Sequence, residues 1–464
     1  MNKNIIRISV LIGASFLMQS CLVAKKYERP NLKAEESFRT EVVEKDTTSL
    51  ANIEWNKVFT DPQLQQYINE GLKSNYDIQI AAQNIAAAEA SMKRGKAGYY
   101  PTVNIAATWT HQETSKNSQF GRLFSRIDQY QLSPTLAWEA DIWGKTRSTK
   151  RAATASYLQT VATNKALQAQ VVSSIASIYY QLLSFDAQLK VAEETLKNRE
   201  KSVEVMKSLK DGGTVNEVGI KQTESQMLAT QITIEDIKFN ISVLENSLSI
   251  LLGKTPQHIS RSELENQKID LDITTGVPST LLANRADLIA AEYNLMSTFE
   301  QTNIARANFY PAFTITASTG FQSLELGTLL SANSIFANIV TGLTAPIFNG
   351  RQVKTNYEIA KSNQQRAFLQ YEKAFVEATQ EVSNAFASYE NETKKIEIRT
   401  QQVEMLKKAV EYSDELLTYG MINYLDVITA SDTALNAELS LIDNKYKQLN
   451  AIINLYRALG GGWQ

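Results

Sequence analysis

The chain has 464 residues, a formal net charge of −2 and a pI of about 6.0. This balance excludes the broad basic field that is typical of nucleic-acid binding. Hydrophobic residues make up 43% of the chain, but after residue 20 no apolar run approaches the roughly 20 residues that a membrane-spanning helix needs. If the protein crosses a membrane, it must therefore do so with strands.

The N-terminus has the pattern of a secretion signal. Lys3 and Arg7 precede an apolar stretch at 8–18, which leads to the only cysteine of the chain, Cys21. The pattern predicts a signal peptide at 1–20. It resembles a lipoprotein signal, in which Cys21 is lipidated and becomes the first residue of the mature chain; the alternative is a plain signal peptide with an incidental cysteine. One acyl chain anchors a protein only weakly, so the rest of the chain should contribute to membrane attachment.

Four segments alternate apolar and polar residues with a period of two. They lie at 102–111, 130–138, 313–321 and 334–348. This alternation is typical of outer-membrane strands, which turn apolar residues outward and small or polar residues inward. The alternative is a soluble antiparallel sheet with one buried face, which the strands alone do not exclude.

Proline placement predicts where long helices run. All eight prolines lie outside 135–255 and 347–464, and proline is costly inside a helix. From Leu167 to Met206, apolar residues recur at alternating three- and four-residue spacing, which is the seam of a coiled-coil-like helix. A helix of about 60 residues would be roughly 90 Å long, far longer than an ordinary globular domain uses.

Glycines divide each proline-free stretch into two helices. Gly212 and Gly213 end the first long helix, and a second helix is predicted from about Asn216 to Leu252. The later stretch repeats this plan with a break at Gly420 and a final helix to about Leu459.

The sequence contains a tandem duplication. Residues 75–101 return as 285–311 with a shift of 210, and residues 213–216 return as 420–423 with a shift of 207. A unit of this length is a whole supersecondary module rather than a solenoid repeat. The predicted division is a signal peptide at 1–20, a lipidated N-terminal segment at 21–70, a first repeat at 71–255, an inter-repeat linker at 256–280 and a second repeat at 281–464.

The number of strands predicts an oligomer. Four strands cannot close a barrel, and open sheet edges are not tolerated in lipid. Three chains would pool twelve strands, an even number within the range of membrane barrels. We therefore expect a trimeric tube with a barrel at one end and coiled helices at the other, and a tube with a polar lining is a conduit.

Four segments in order carry a family resemblance. They are Trp55–Leu64, Trp138–Lys145, Pro346–Arg351 and Tyr419–Val427. Together with the duplication, they are similar to the TolC family of outer-membrane efflux ducts, in its NodT-type lipoprotein branch, from Cys21 to about Trp463. Ala286 stands where the family often has proline, a departure that concerns a helix start.

The resemblance implies a fold and a function. The fold is mainly α with membrane β-strands: a homotrimer that forms a 12-stranded β-barrel on an α-helical periplasmic tunnel. The chain would be lipid-anchored in the outer membrane and work with a periplasmic membrane-fusion adaptor and an inner-membrane pump. It would be the exit duct of a tripartite efflux system for small molecules or drugs. The alternatives are the exit duct of a type I protein secretion system and a periplasmic coiled-coil structural lipoprotein without a pore.

The resemblance also implies a pore aperture. Asp426 aligns with an aperture carboxylate of the family, with Asn423 and Tyr424 beside it, and threefold symmetry would make a ring that can select for cations. A second family carboxylate corresponds to Thr429, so a double acidic ring is not expected. The residues leave another role open, because Asn423 is well placed as an N-cap and Asp426 could complete a capping box.

The two helix turns are the implied docking points for the adaptor. The candidates are Gly213, Gly420, Asn216 and Glu217. A structural role is the alternative here too: Thr214 and Glu217 have the spacing of a capping box, and the glycines suit the backbone of a turn.

The sequence does not favour an enzyme. His111 and His258 are far apart in sequence, and neither has metal-ligand spacing. The chain also lacks a nucleophile-elbow motif and a phosphate-binding glycine loop. We therefore expect no cofactor, no metal and no nucleic acid, and transport must be driven by a partner.

Overall fold

The computed structural model describes residues 23–30, 54–117, 119, 126–213, 215–267 and 284–463. The predicted signal peptide, Cys21 and Thr214 lie outside the described residues, as do parts of the predicted N-terminal segment and inter-repeat linker. The described residues fall into two compact units. The first lies within Met1–Asn31, Ile85–Thr160 and Ala291–Tyr371, and the second within Leu32–Asn84, Val161–Ala290 and Glu372–Gln464.

Helices dominate the described chain, and the strands come in two pairs. The elements before the second repeat are α1 (Trp55–Val58), α2 (Pro62–Ser74), α3 (Tyr76–Ala97), β1 (Thr102–Glu113), β2 (Arg126–Glu139), α4 (Lys145–Asp211) and α5 (Glu217–Leu251). The later elements are α6 (Ala286–Ala307), β3 (Ala312–Ser323), β4 (Ile335–Thr344), α7 (Gln352–Thr418) and α8 (Tyr424–Ala458). Over the described ranges, no helix combines the length and the apolar content needed to cross a membrane.

The duplication is visible in the helix lengths. Helices α3 and α6 each have 22 residues, α4 and α7 each have 67, and α5 and α8 each have 35. Helix α6 starts 210 residues after α3 (286 against 76), whereas α7 starts 207 residues after α4 (352 against 145). The three-residue difference therefore falls within the strand pairs, where β2 has 14 residues and β4 has 10. The predicted repeat of two strands and long helices is confirmed.

The first unit contains an antiparallel sheet in the order β1-β2-β3-β4. Its register pairs Val103 with Leu136 in the first hairpin and Phe313 with Leu343 in the second. Strand β4 ends at Thr344, earlier than predicted. Pro346 has no amide hydrogen to donate to a strand ladder, so pairing cannot continue through this residue.

The outer strands of this sheet leave apolar side chains uncovered within one chain. Strand β1 is exposed along its whole length, including Val103 and Ile105. In β4, Ile339 and Leu343 are exposed as well. Strands β1 and β4 are the two ends of the sheet and each has one paired neighbour among the described residues. An exposed apolar edge of this kind needs a partner.

The core of the second unit is built around the segment that begins at Trp55. Phe59 is fully buried and meets Tyr456 edge to face, with ring centroids 6.0 Å apart. Asp61 caps α2 by accepting hydrogen bonds from the amides of Gln63 (2.8 Å) and Leu64 (3.2 Å). The Tyr179 hydroxyl on α4 donates to the same carboxylate at 2.9 Å. The segment therefore joins α2 to α4 and α8.

Candidate functional site at the helix turns

Both turns are built on a glycine in a left-handed conformation. Gly213 has φ +74° and Gly420 has φ +68°, a region that side chains with a Cβ rarely adopt. The Gly420 amide donates to the Leu417 carbonyl at 2.9 Å, and the Met421 amide donates to Leu416 at 3.0 Å. This pair of bonds is a Schellman motif that ends α7. The glycines therefore shape the turns, and their role in docking stays a prediction.

The next helices begin with equivalent asparagine caps. The Asn216 side chain accepts a hydrogen bond from the Gly219 amide at 3.2 Å. The Asn423 side chain accepts one from the Asp426 amide, and the Asp426 carboxylate accepts one from the Asn423 amide, both at 3.2 Å. Asn423 and Asp426 thus form a capping box. Asp426 therefore has the capping role that its spacing from Asn423 allowed, and its role in the pore remains a prediction.

Only one of the two turns has an acidic side chain three residues after its capping asparagine. Asp426 is exposed, so its carboxylate is accessible as well as capping. Its counterpart 207 residues earlier is Gly219, which has no side chain. Thr429, the position of the second family carboxylate, donates its hydroxyl to the Leu425 carbonyl at 2.8 Å. Each chain thus presents a single carboxylate from these positions.

The first turn has a different electrostatic character. Glu217 forms ion pairs with Lys210 across the turn and with Lys221 one helical turn on. The hydrogen bond from Lys210 lowers the pKa of the Glu217 carboxyl. Asn216 is the N-cap of α5 in the structure. Glu217 instead forms an exposed charged cluster with Lys210 and Lys221.

A buried ion pair, which sequence analysis missed, joins the two repeats. Arg199 is only 8% exposed. Its guanidinium donates at 2.7 Å to both the Gln226 carbonyl and the Thr230 hydroxyl on α5, and it pairs with Asp432 on α8. The equivalent residues of the other repeat are Leu406 and Ser225, so the pair occurs once per chain. The available signal was a charged residue, Arg199, in a mostly apolar seam.

The described residues contain no group of three or more His, Cys, Asp or Glu side chains that could hold a metal ion. His111 contacts the Asp128 carboxylate at 2.8 Å in the first unit, and His258 contacts Glu245 at 2.9 Å in the second. The turns themselves offer helix-capping groups and exposed charged side chains.

The architecture of this chain is that of a known protein family. The family described as "Outer membrane efflux protein" matches residues 67–254 and 277–461, and each matched segment holds one copy of the repeat. The probable outer membrane lipoprotein SilC of Salmonella typhimurium is 26% identical over 457 residues, covering 97% of this chain and 98% of that protein. The probable efflux pump outer membrane protein TtgC of Pseudomonas putida is 27% identical over 473 residues, covering 100% and 96%.

The fold comparison agrees with the sequence comparison. A crystal structure of CusC, from work on folding and transmembrane channel formation, superposes with a TM-score of 0.82 at 26% identity, covering 95% of this chain and 99% of that one. Because the family matches most of the chain and the solved channel shares its fold, the chain belongs to the outer membrane efflux protein family and is an outer-membrane efflux channel.

Proposed function

We propose that three copies of this chain form the exit duct of a tripartite efflux system. The duct carries small molecules or drugs passively from the periplasm to the exterior, and a periplasmic adaptor and an inner-membrane pump drive the flow. The observation that supports this most directly is the four-stranded sheet, whose end strands β1 and β4 each pair with one neighbour within the part of the chain that the structure describes.

The sheet supports a trimer because unpaired edges are not stable in lipid. Pairing β1 of one copy with β4 of the next satisfies both edges, and three copies give a closed barrel of about twelve strands. The exposed apolar residues Val103, Ile105 and Ile339 then have lipid or a neighbouring subunit as their partner. The family forms homotrimeric outer-membrane channels, which fits this arrangement.

At the turns, the proposal assigns Asp426 to the aperture, with Asn423 and Tyr424 beside it. Three copies would place three Asp426 carboxylates in one ring, which favours cations over anions. Because Gly219 and Thr429 occupy the other relevant positions, this ring is single. Gly213, Gly420, Asn216 and Glu217 are the proposed docking residues for the adaptor, and Cys21 is the proposed lipid attachment site.

Efflux is favoured over protein secretion as the role of the duct. SilC is named as a lipoprotein and TtgC as an efflux-pump component, and each matches this chain over nearly its whole length. The lipoprotein-like signal before Cys21 agrees with the first of these relatives.

The test is the conductance of the purified, detergent-extracted protein in a planar lipid bilayer, with its mass in detergent determined in parallel. We expect a trimer that produces discrete conductance steps. A monomer that shows no conductance at any applied potential would contradict the duct and favour a scaffold role for the helices.

A further inference from the structure

The duplication gives the two strand pairs the same register. In the first pair, Thr102 of β1 lies opposite Ala137 of β2. In the second pair, Ala312 of β3 lies opposite Thr344 of β4. Residue 312 follows residue 102 by 210 positions, and residue 344 follows residue 137 by 207, which are the two shifts of the repeat. Strand β3 is therefore the equivalent of β1, and β4 is the equivalent of β2.

The contact between β2 and β3 shows how one strand pair joins the next. Thr135 lies opposite Ser318 near one end of this contact, and Gln131 lies opposite Gln322 near the other end. Between two copies of the chain, β4 of one and β1 of the other are the equivalents of β2 and β3. The contact that joins the two pairs within a chain can therefore be used again between chains.

The observed register specifies which residues would meet at the edges of the sheet. Gly342 in β4 is the equivalent of Thr135, 207 positions earlier, and Thr108 in β1 is the equivalent of Ser318, 210 positions later. Because Thr135 lies opposite Ser318 within the chain, Gly342 should lie opposite Thr108 of the partner subunit.

The side-chain pattern of the two edge strands agrees with this register. Most of their exposed large apolar residues have odd numbers, namely Val103, Ile105 and Trp109 in β1 and Ile335, Ile339 and Leu343 in β4. The register places odd positions opposite odd positions, so that these residues share one face of the sheet across the junction. A shift of one residue would turn them to opposite faces, because successive side chains of a strand alternate. The nearest alternatives are therefore shifts of two residues.

The junction between copies lacks two residues that disturb the contact within the chain. Pairing between β2 and β3 is interrupted at Pro134, which has no amide hydrogen to donate. Gly320 in β3 leaves no room for a Cβ. The equivalents at the edges of the sheet are Thr341 for Pro134 and Thr110 for Gly320. Threonine has an amide hydrogen and is favoured in strands, so the ladder between copies can run without interruption.

We propose that β4 of one copy pairs antiparallel with β1 of the next in this register, with Gly342 opposite Thr108 of the partner subunit. The pairing joins residues 337–344 of one copy to residues 106–113 of its neighbour. It rests on the trimer of the proposed function and adds the register, which neither the strand count nor the family match specifies. Each strand of the assembly then has two neighbours.

The test is disulfide formation between paired cysteines in the full-length protein, in outer membranes of expressing cells. Gly342→Cys and Thr108→Cys are combined in one chain, a mild oxidant is added, and covalent species are separated by non-reducing denaturing electrophoresis. Opposed residues of antiparallel strands have Cα atoms about 4.5–5.5 Å apart, within the reach of a disulfide. A Cβ at Gly342 meets no described atom within 4 Å, so a cysteine fits there. We expect covalent dimers and trimers that a reductant dissolves.

The matched controls test the register. They combine Gly342→Cys with Ala106→Cys or with Thr110→Cys, which lie two residues to either side of Thr108 on the same face. Diagonal positions are about 7–8 Å apart, so these pairs should form the disulfide at least about tenfold more slowly. Each single variant keeps the natural Cys21 and should give no covalent oligomer.

A second pair tests the same register four residues further along β4. Within the chain, Gln131 lies opposite Gln322, and the same two shifts predict that Asn338→Cys forms a disulfide with Gln112→Cys of the partner subunit. This pair should behave like the first and keeps the test valid if one of the variants does not fold.

The outcomes separate this proposal from the proposed function. Faster disulfide formation in a shifted pair overturns the register but leaves the trimer in place. A conducting trimer without disulfides in either matched pair overturns the pairing of β4 with β1 and retains the duct. A monomer without conductance contradicts the proposed function and, with it, this pairing.

Discussion

At the scale of single residues, two acidic side chains on α8 have different surroundings and therefore different roles. Asp426 is exposed and caps the first turn of the helix. Asp432 pairs with the buried Arg199 of the other repeat. The first residue was identified in the sequence from its spacing to Asn423. The second could not be, because its partner lies 233 positions away and is brought near only by packing.

Substitution of Asp426 separates capping from a role in the pore. Asp426→Asn keeps an oxygen that can accept the Asn423 hydrogen bond but removes the charge. If the carboxylate belongs to the aperture, single-channel recordings should show a higher conductance and weaker cation selectivity, with little change in the thermal midpoint. Asp426→Ala also removes the cap and should lower stability by about 1 kcal/mol. Unaltered conductance in both variants, with lowered stability in the alanine variant, leaves capping as the only role.

Breaking the ion pair between Arg199 and Asp432 by replacing one residue should destabilise the protein. Replacing both residues should change the stability much less. Arg199→Leu leaves Asp432 without its partner and should lower the free energy of unfolding by about 3 kcal/mol. The double variant Arg199→Leu, Asp432→Ser copies the residues of the other repeat and should recover much of that loss. Thermal unfolding of the purified protein measures both changes.

The control for the Arg199 experiment is Lys407→Leu. The Lys407 side chain is 60% exposed in its pair with Glu438, so the change should be within about 1 kcal/mol. An Arg199→Leu protein as stable as this control would show that the buried pair is not important for holding the repeats together.

At the scale of elements, the contact between β2 and β3 joins the two strand pairs into one sheet. Gly320 in β3 has φ +149°, and a Cβ at this position would lie 2.1 Å from the Leu132 carbonyl oxygen of β2. The paired residues on either side are Leu132 with Phe321 and Thr135 with Ser318. Glycine is required here because the two backbones approach too closely for a side chain.

Gly320→Ala should therefore disrupt the sheet. The backbone conformation alone would cost about 1–3 kcal/mol, and the overlap with β2 adds to this. We expect much less folded trimer in the outer-membrane fraction of expressing cells. Gly342→Ala in β4 is the matched control, since a Cβ there meets no described atom within 4 Å and should be tolerated. Equal yields of the two variants would contradict the close approach.

At the scale of the whole molecule, stability should depend on pH through the buried Asp61. Burial opposes ionisation, but hydrogen bonds from Ser262, Tyr179 and two backbone amides outweigh it and lower the pKa of the Asp61 carboxyl. A group whose pKa is lower when folded stabilises the protein above its unfolded pKa of about 3.9. This stabilisation is lost as the pH falls through the folded pKa.

Asp61→Asn should lower the thermal midpoint at neutral pH and flatten its fall below about pH 4. The matched control is Asp77→Asn, an exposed acidic residue in the first turn of α3, which should leave the pH profile unchanged. An Asp61→Asn protein with the same acid sensitivity as the unmodified chain would show that other carboxylates dominate acid unfolding.

The sequence by itself determined the elements of this protein and their order. Proline and glycine positions, apolar spacing and the repeat are local properties, so they predicted the long helices, the turns at Gly213 and Gly420, and the strands. The exception was the end of β4, where Pro346 stops the pairing sooner than alternation suggested. The resemblance to a known family also rested on local features, namely short sequence segments that occur in a fixed order along the chain.

Only the tertiary structure decided which distant residues meet. It showed the pairing of Arg199 with Asp432, the hydrogen bonds that gather around Asp61 and the close approach at Gly320. Each depends on how two or more elements pack, and side-chain patterns along one element contain no information on the partner that another element supplies. Packing therefore determines which buried charges are compensated and by which partner.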